Sequence, residues 1–382
     1  MAGSTFGKQF KITTWGESHG AGVGVVIDGC PAGLSLSSED IQLYLNRRKP
    51  GQSRFTTPRK EDDAVEILSG VFEGKTTGTP ISLVVYNCNQ KSKDYSEIAA
   101  CYRPGHADYT FDAKYGFRDY RGGGRSSGRE TIGRVAAGAV AAKILKELGI
   151  KLTAYTKSIG DISISTLDLA EIANNALYMP DADAAAKASA YLDTCMQEHD
   201  SSGGVIECII DGMPAGIGEP VFDKLDADLA KAIFSIGAVK GFEIGAGFGA
   251  ATATGLTNND AFCMENGHIS KRTNYSGGTL GGMSDGSLLF FRAAVKPTPS
   301  IAATQQTVNK DGKEIWIQKT VLMSQDTLYD EKVGREMTVV HGIILFKNTS
   351  VFHEKEQKEK ERLKVAYEKA DLASKAKTEF LN

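Results

Sequence analysis

The chain has 382 residues, of which 41% are hydrophobic and 24% charged, and its 44 basic and 47 acidic residues give a net charge of −3. This composition is typical of a globular protein and excludes a disordered or fibrous chain. The longest apolar run, 135–142, is far shorter than the ~20 residues that span a bilayer, and the start of the chain lacks the apolar core of a signal peptide. We therefore expect a cytoplasmic protein without membrane partners, and the slight negative charge argues against a general nucleic-acid binder.

Cysteine and arginine are distributed in ways that bear on function. The six cysteines contain no CxxC pair and no metal-ligand spacing, so we expect no metal site. Ten of the fourteen arginines lie between residues 47 and 134. A guanidinium group binds phosphate or carboxylate through two hydrogen bonds at once, so this concentration predicts a local anion site. Arginines scattered over the surface are the alternative.

The amino-terminal segment predicts two strands, FKITTW (10–15) and VGVVIDG (23–29), around the loop GESHG (16–20). This arrangement places Ser18 and His19 at the end of a strand.

A helix is then predicted, with Ser37 or Ser38 as its cap and apolar residues at helical spacing. Its last turn delivers Arg48 into a loop that also carries Arg54 and Arg59.

An internal repeat links two distant parts of the chain. The segments 24–34 and 204–218 share Asp-Gly-x-Pro-Ala-Gly after a β-branched strand, and a helix is predicted after each. This echo predicts two similar halves packed into one core, with chance as the alternative. The segment 133–148 is rich in Ala and Gly and predicts a buried helix, so we expect an α+β fold with a central helical layer covered by sheets.

The strongest local motif is RGGGRSSGRET (121–131). Ser127 and Glu130 have the spacing of a capping box, which predicts a helix that begins near Gly128 with its free amides exposed. Arg125 and Arg129 flank this end, and the glycines 122–124 let the preceding loop approach a phosphate or a carboxylate. The alternative is a glycine-rich turn before a well-capped helix.

Two histidines lie in loops bordered by glycine or proline, His19 in GESHG and His106 in RPGHAD (103–108). Histidine donates protons near neutral pH, so both are candidate acids, with solvated loop histidines as the alternative. The familiar nucleotide motifs are excluded, because GVFEGKTTG (70–78) and GAGFG (245–249) have the wrong spacing for a P-loop and for a dinucleotide site. KPTPS (296–300) supplies a cation and hydroxyl groups after a predicted strand.

Together these motifs resemble the chorismate synthase family. GESHG, RRKPG (47–51), RPGHAD, GRSSGRET, AVKGFEIG (238–245), GGMSDG (281–286) and KPTPS follow the family's order, and the resemblance covers residues 4 to about 310. It implies a β-α-β sandwich with a central helical layer between antiparallel sheets and two pseudo-repeated halves, assembled as a homotetramer.

The resemblance also implies a reaction, a 1,4-elimination of phosphate from 5-enolpyruvylshikimate 3-phosphate that gives chorismate, the last step of the shikimate pathway. Members of the family require reduced FMN although the reaction involves no net redox change. NADPH would serve only indirectly as the source of reduction, with an external flavin reductase as a further expected partner, because the sequence contains no obvious NADPH module.

By the same resemblance each candidate site residue receives a role. His19 and His106 would be the acids, one toward the departing phosphate and one toward the flavin. The residues that would hold the substrate are Ser18, Arg48, Arg54, Arg103, Ser127 and Arg129. Those that would line the flavin site are Arg125, Ser126, Ser127, Gly237, Ala238, Gly281, Lys296, Pro297, Thr298, Pro299 and Ser300.

The chain departs from the family after residue 310. The family's Arg-His-Asp-Pro or Arg-Ser-Asp-Pro segment is missing, and Leu322 stands where the spacing would place the flavin-site arginine. We therefore divide the chain into a core (1–310), an atypical strand-rich segment (311–352) and a charged C-terminal helix (353–382). The end of the chain resembles the linker that enters the dimerisation helix of sensor histidine kinases, and the strands before it resemble the end of a PAS domain. A fusion, a misjoined reading frame and a divergent tail are all open. The alternatives to an active enzyme are an inactive flavin- and anion-binding pseudoenzyme and a signalling fragment.

Overall fold

The computed structural model describes residues 3–56, 62–87, 99–330 and 335–380, so the predicted loop residue Arg59 lies outside the described residues. The chain divides into a first unit, Met1–Ser92 with Arg121–Pro299, and a second unit, Lys93–Tyr120 with Ser300–Asn382. This is a different division from the three segments expected above, whose boundaries stay a prediction.

Antiparallel sheets and helices alternate along the chain. The strands are β1 Thr5–Phe6, β2 Lys11–Gly16, β3 Gly22–Asp28, β4 Val65–Ser69, β5 Val71–Phe72, β6 Lys75–Thr76, β7 Ile81–Tyr86, β8 Lys151–Ile159, β9 Ile162–Ser163, β10 Gly204–Asp211, β11 Val239–Ile244, β12 Phe262–Glu265, β13 His268–Lys271, β14 Thr279–Leu280, β15 Met283–Ser284, β16 Leu289–Val295, β17 Gln305–Val308, β18 Glu314–Asp330 and β19 Arg335–Asn348. The helices are α1 Ser38–Arg48, α2 Asp108–Tyr115, α3 Thr131–Glu147, α4 Ala182–Gln197, α5 Leu225–Phe234, α6 Gly255–Asn258 and α7 Ser350–Phe380.

The first sheet of the first unit has the strand order β1-β2-β3-β7-β4, with antiparallel neighbours. The two predicted amino-terminal strands are confirmed as β2 and β3. Val25 and Ile27 of β3 are fully buried because α1 and α3 cover one face of this sheet. The predicted cap of α1 is also confirmed, since Ser37 forms a capping box with Asp40.

Helix α3 is the Ala- and Gly-rich helix that the sequence predicts, and it confirms the helical layer. Its residues Ala136 and Val140 are buried against the first sheet, and Leu145 packs against the core of the second. Gly133 is required at this contact, because a Cβ there would lie 2.9 Å from the carbonyl oxygen of Gly24.

The second sheet has five strands, as the first does, with a similar strand arrangement, which confirms the predicted pseudo-repeat. Its strand order is β11-β16-β10-β8-β9, so β10 is the middle strand here as β3 is in the first sheet. The shared turns also match. Gly29 and Gly212 follow the two strands with φ of 80° and 79°, a conformation that favours glycine. Helix α5 follows β10 as α1 follows β3, and it packs Leu229 against the second core.

The second unit contains α2, the sheet β17-β18-β19 and the long helix α7. Strands β18 and β19 lie in the segment 311–352 that was predicted to be rich in strands, and the helix predicted over 353–382 is present but begins earlier, at Ser350. In the first turn of α7, the ring of His353 lies 3.6 Å from the ring of Trp316 on β18, measured between the ring centroids. Among the described residues, no helix combines the length and apolar character needed to cross a membrane.

Candidate active site

Ser18 and His19 lie in the loop between β2 and β3, and both are buried. The Ser18 Oγ is 3.2 Å from Nδ1 of His19. Gly122 passes so close to this pair that a Cβ on it would lie 2.2 Å from Cε1 of His19. The glycine run that the sequence assigned to an anion contact therefore has a second use, since it lets the backbone approach a candidate acid.

Asn87, which the sequence analysis missed, joins this loop to an arginine. Its Nδ2 donates to the carbonyl oxygens of Glu17 and Gly20, both at 2.9 Å, and its Oδ1 accepts from Nε of Arg129 at 3.0 Å. The side chain stands directly after β7, a buried strand next to β3, and this position is the only signal that could have pointed to it.

Asp63, also missed, joins Arg129 to Arg48. Its Oδ1 accepts from Nη1 of Arg129 at 3.1 Å, and its Oδ2 accepts from Nη1 of Arg48 at 2.6 Å. The Asp63 side chain is wholly buried, and the arginine side chains are 8% and 18% exposed. Burial lowers the pKa of the Arg48 guanidinium, while the charge of Asp63 opposes that shift.

Arg48 also contacts the start of α3. Its Nε donates to Oγ1 of Thr131 at 3.2 Å, and its Nη2 donates to the carbonyl oxygen of Gly128 at 3.3 Å. The structure thus joins the predicted arginines Arg48 and Arg129 to the loop that carries Ser18 and His19 in one hydrogen-bonded network, with Asn87 and Asp63 as its links.

The predicted capping box before α3 is wrong. Ser127 Oγ accepts from the backbone N–H of Arg129 at 3.3 Å in a short 3₁₀ turn, Gly128–Glu130, that precedes the helix. The Glu130 carboxylate cannot reach back to the cap, because it accepts from Oγ1 of Thr14 and from Nε of Arg134, both at 2.8 Å.

Three other predicted residues of the first unit form contacts outside the network around Asp63. Arg125 donates to backbone oxygens of β2, at Gly16 and Thr14, both at 3.2 Å. Ser126 Oγ donates to the carbonyl oxygen of Gly123 at 2.7 Å. Arg54 is largely exposed and forms an ion pair with Asp193 at 2.6 Å, so it contacts α4 rather than the network around Asp63.

Two of the predicted flavin segments meet in the first unit. The backbone N–H of Lys296 donates to the carbonyl oxygen of Ala238 at 2.9 Å, which places Lys296 beside the residue that precedes β11. A Cβ on Gly237 would meet no heavy atom within 4 Å, so the space beside this glycine is open. Gly281 lies in the turn between β14 and β15, and Thr298 accepts a hydrogen bond from Ser201 on its carbonyl oxygen at 2.8 Å.

The second unit holds the other candidate acid. His106 Nδ1 is 2.9 Å from the carbonyl oxygen of Pro104, and Nε2 is 2.9 Å from Oγ of Ser300. A carbonyl oxygen only accepts, so Nδ1 carries a proton; Nε2 then accepts from the Ser300 hydroxyl when the ring is neutral and donates to it when the ring is protonated. Lys319, which the sequence analysis missed, donates to the Ser300 carbonyl oxygen at 2.9 Å, and burial lowers the pKa of its ammonium group.

Arg103 is fixed by Asp108 within the same unit. Its Nε and Nη2 donate to the two carboxylate oxygens, both at 2.7 Å, and its backbone N–H donates at 3.0 Å. Burial alone would raise the pKa of Asp108, but the hydrogen bonds and charge of Arg103 outweigh it and hold the pKa below its ordinary value.

Comparison with known proteins identifies the family. The model of the chorismate synthase family matches residues 10–328. The chain is 73% identical to the chorismate synthase of Agathobacter rectalis over 319 residues, which cover 83% of this chain and 87% of the relative. It is 55% identical to that of Methanosarcina mazei over 318 residues, covering 82% and 87%. A solved structure described as a chorismate synthase crystal structure superposes with a TM-score of 0.65 at 33% identity, covering 77% of this chain and 85% of the other.

These matches confirm the expected lyase chemistry and the α+β fold, and they give no support to the inactive alternative. The likeness of the tail to a PAS domain and a kinase linker is unsupported by them and stays a prediction, because the family model ends at residue 328. The chain belongs to the chorismate synthase family, whose reaction is the elimination of phosphate from 5-enolpyruvylshikimate 3-phosphate.

Proposed function

We propose that this chain performs the elimination with its own residues in the roles that the family resemblance gives them. The substrate would be held by Ser18, Arg48, Arg54, Arg103, Ser127 and Arg129. The observation that carries the proposal is the network in which Asn87 and Asp63 join the His19 loop to Arg129 and Arg48. Guanidinium groups beside a buried histidine suit a substrate with two carboxylates and a phosphate that must leave.

His19 and His106 act as the acids in this proposal. Both rings are fixed by their neighbours: His19 lies against Gly122 and Ser18, and His106 is hydrogen-bonded through Nδ1 to Pro104 and through Nε2 to Ser300. A fixed ring suits proton transfer, because the transfer needs a donor within hydrogen-bond reach of its target. When protonated, Nε2 of His106 becomes a donor and can deliver its proton, while Nδ1 stays hydrogen-bonded to the backbone.

Reduced FMN is the proposed cofactor, held by Arg125, Ser126, Ser127, Gly237, Ala238, Gly281, Lys296, Pro297, Thr298, Pro299 and Ser300. The joined segments at Ala238 and Lys296 support this, because they combine an ammonium group, hydroxyl groups and the open space beside Gly237. These groups fit a flat ring with an anionic phosphate arm. When bound, the reduced flavin supplies the electron density that helps to expel phosphate.

Reduction of the flavin is proposed to occur elsewhere. NADPH serves only indirectly in this proposal, through an external flavin reductase in the cytoplasm. NADPH alone should then support no turnover by the purified chain, whereas chemically reduced FMN should.

The chain is proposed to form a homotetramer. The hairpin β12–β13 supports a contact with a second copy, because Phe262, Met264 and Ile269 share one of its faces and are 64%, 68% and 76% exposed. An isolated two-stranded hairpin is marginally stable in water, so an apolar face of this kind favours burial in an assembly.

An anaerobic titration tests the proposed site. Chemically reduced FMN and substrate are added to the full-length chain, with the flavin absorbance and phosphate release as the readouts. His106→Ala should lower turnover by about 100-fold or more if the ring transfers a proton. Turnover unchanged in both His19→Ala and His106→Ala would overturn the assignment of the acids.

A further inference from the structure

We propose that Asp63 is a positioning residue, whose carboxylate holds the Arg48 and Arg129 guanidinium groups at one fixed spacing so that both can bind the anionic groups of the substrate. The inference rests on the proposed function, because it takes these two arginines as substrate-binding residues. It adds a residue that neither the sequence motifs nor the family resemblance assigns.

The contact geometry supports a shared carboxylate. Each oxygen of Asp63 accepts from a different arginine, Oδ2 from Arg48 at 2.6 Å and Oδ1 from Arg129 at 3.1 Å. Two guanidinium groups that bind opposite oxygens of one carboxylate cannot move apart or rotate independently. Charge-assisted hydrogen bonds of this kind are short, directional and stronger than neutral ones.

Burial explains why a carboxylate is needed. The Asp63 side chain is wholly buried, and Arg129 is 8% exposed, so neither charge is well solvated. Two neighbouring guanidinium groups without a counter-charge would repel each other and would turn toward water. Asp63 leaves the group of three with one net positive charge, which still favours an anionic substrate.

Further hydrogen bonds of Arg129 and Arg48 connect the group around Asp63 to other segments of the chain. Arg129 also binds Asn87, which holds the loop of His19 through two backbone carbonyl oxygens. Arg48 also binds the carbonyl oxygen of Gly128 before α3. Asp63 therefore stands where the α1 arginine and the α3 arginine meet, and a change there reaches both of them.

Asp63→Asn is the sharpest perturbation. The backbone of residue 63 has φ of 47°, a conformation that asparagine tolerates as well as aspartate does. The amide keeps the size of the side chain, but it can accept from only one of the two guanidinium groups, and it turns an N–H toward the other. The variant thus removes the shared contact with little change in packing.

The expected result is a rise in KM for 5-enolpyruvylshikimate 3-phosphate of about 10- to 100-fold, with kcat changed by less than about threefold. Inorganic phosphate, used as a competitive inhibitor, should bind more weakly by a similar factor. The matched control is Asp181→Asn, which removes an equally buried carboxylate that caps α4 by accepting from the Ala184 backbone and from Ser165. The control should lower the melting temperature and leave KM unchanged.

A mutant cycle separates this inference from the proposed function. Arg48→Met and Arg129→Met should each raise KM, and Asp63→Asn should add little to the effect of either, because its action passes through them. Arginine variants with unchanged KM would overturn the proposed substrate site itself. Arginine variants with raised KM beside an Asp63→Asn variant with unchanged KM would overturn the positioning role alone. Tighter phosphate binding by Asp63→Asn would also overturn it, since Asp63 would then act only as a competitor for the arginines.

Discussion

Replacing Gly122 with alanine tests whether the glycine run before α3 exists to let the backbone approach His19. The added Cβ would lie 2.2 Å from Cε1 and 2.4 Å from Nδ1 of the ring, whereas ordinary contacts of this kind begin near 3.4 Å. The ring must therefore move by about 1 Å or more, and a misplacement of that size in a reacting group can lower a rate by about 100-fold. The backbone adds a separate penalty of about 1 kcal/mol, because residue 122 has φ of 62°.

The assay compares two alanine variants at neighbouring positions. Gly123 has φ of 86°, so Gly123→Ala carries the same kind of backbone strain. Its Cβ, however, would lie 3.4 Å from Ser126 Oγ and 3.8 Å from the Ser127 backbone nitrogen, which are ordinary contact distances. We expect both variants to melt at a lower temperature and only Gly122→Ala to lose kcat by about 100-fold in anaerobic turnover with reduced FMN. Equal kcat losses in the two variants, or a Gly122→Ala variant with wild-type kcat, would refute the reasoning.

Three further predictions concern the second unit and the assembly. Ser300→Ala removes the hydrogen bond to Nε2 of His106, which is worth about 1 kcal/mol. The variant should therefore lower kcat about fivefold. An unchanged kcat would show that this contact does not orient the ring. Burial alone would raise the pKa of Asp108, but Arg103 outweighs burial and holds the pKa below the ordinary 3.8. The stabilisation by this ion pair is therefore complete above about pH 4 and is lost as the pH falls through the lowered pKa. Asp108→Asn should therefore melt below the wild type at pH 7, and the gap should narrow toward pH 3; a gap independent of pH would contradict this. Ile269→Asp should shift the assembly measured by light scattering toward smaller species, and an unchanged mass would exclude the hairpin as a contact between copies.

The sequence predicted those parts of the fold that depend on local conformation. The repeated Asp-Gly-x-Pro-Ala-Gly turn requires a left-handed glycine after each middle strand, and Gly29 and Gly212 both adopt it. The cap at Ser37 was also predictable, because its partner Asp40 is three residues away.

The errors and omissions arise from contacts between distant segments. The capping box at Glu130 failed because its carboxylate binds Thr14, which is remote in the sequence and belongs to β2. Asp63 and Asn87 were missed for the same reason. Each is an ordinary polar residue beside a strand, and its importance follows only from the arginines and backbone oxygens that the folded chain brings to it.

The proposed reaction is tested most directly by measuring anaerobic formation of chorismate from 5-enolpyruvylshikimate 3-phosphate, with the full 382-residue chain and chemically reduced FMN. We predict product and released phosphate in equal amounts, although Leu322 stands at the position expected for the flavin-site arginine. Binding of flavin and substrate without product would contradict the account, and would identify the chain as a member of the family that has lost the reaction.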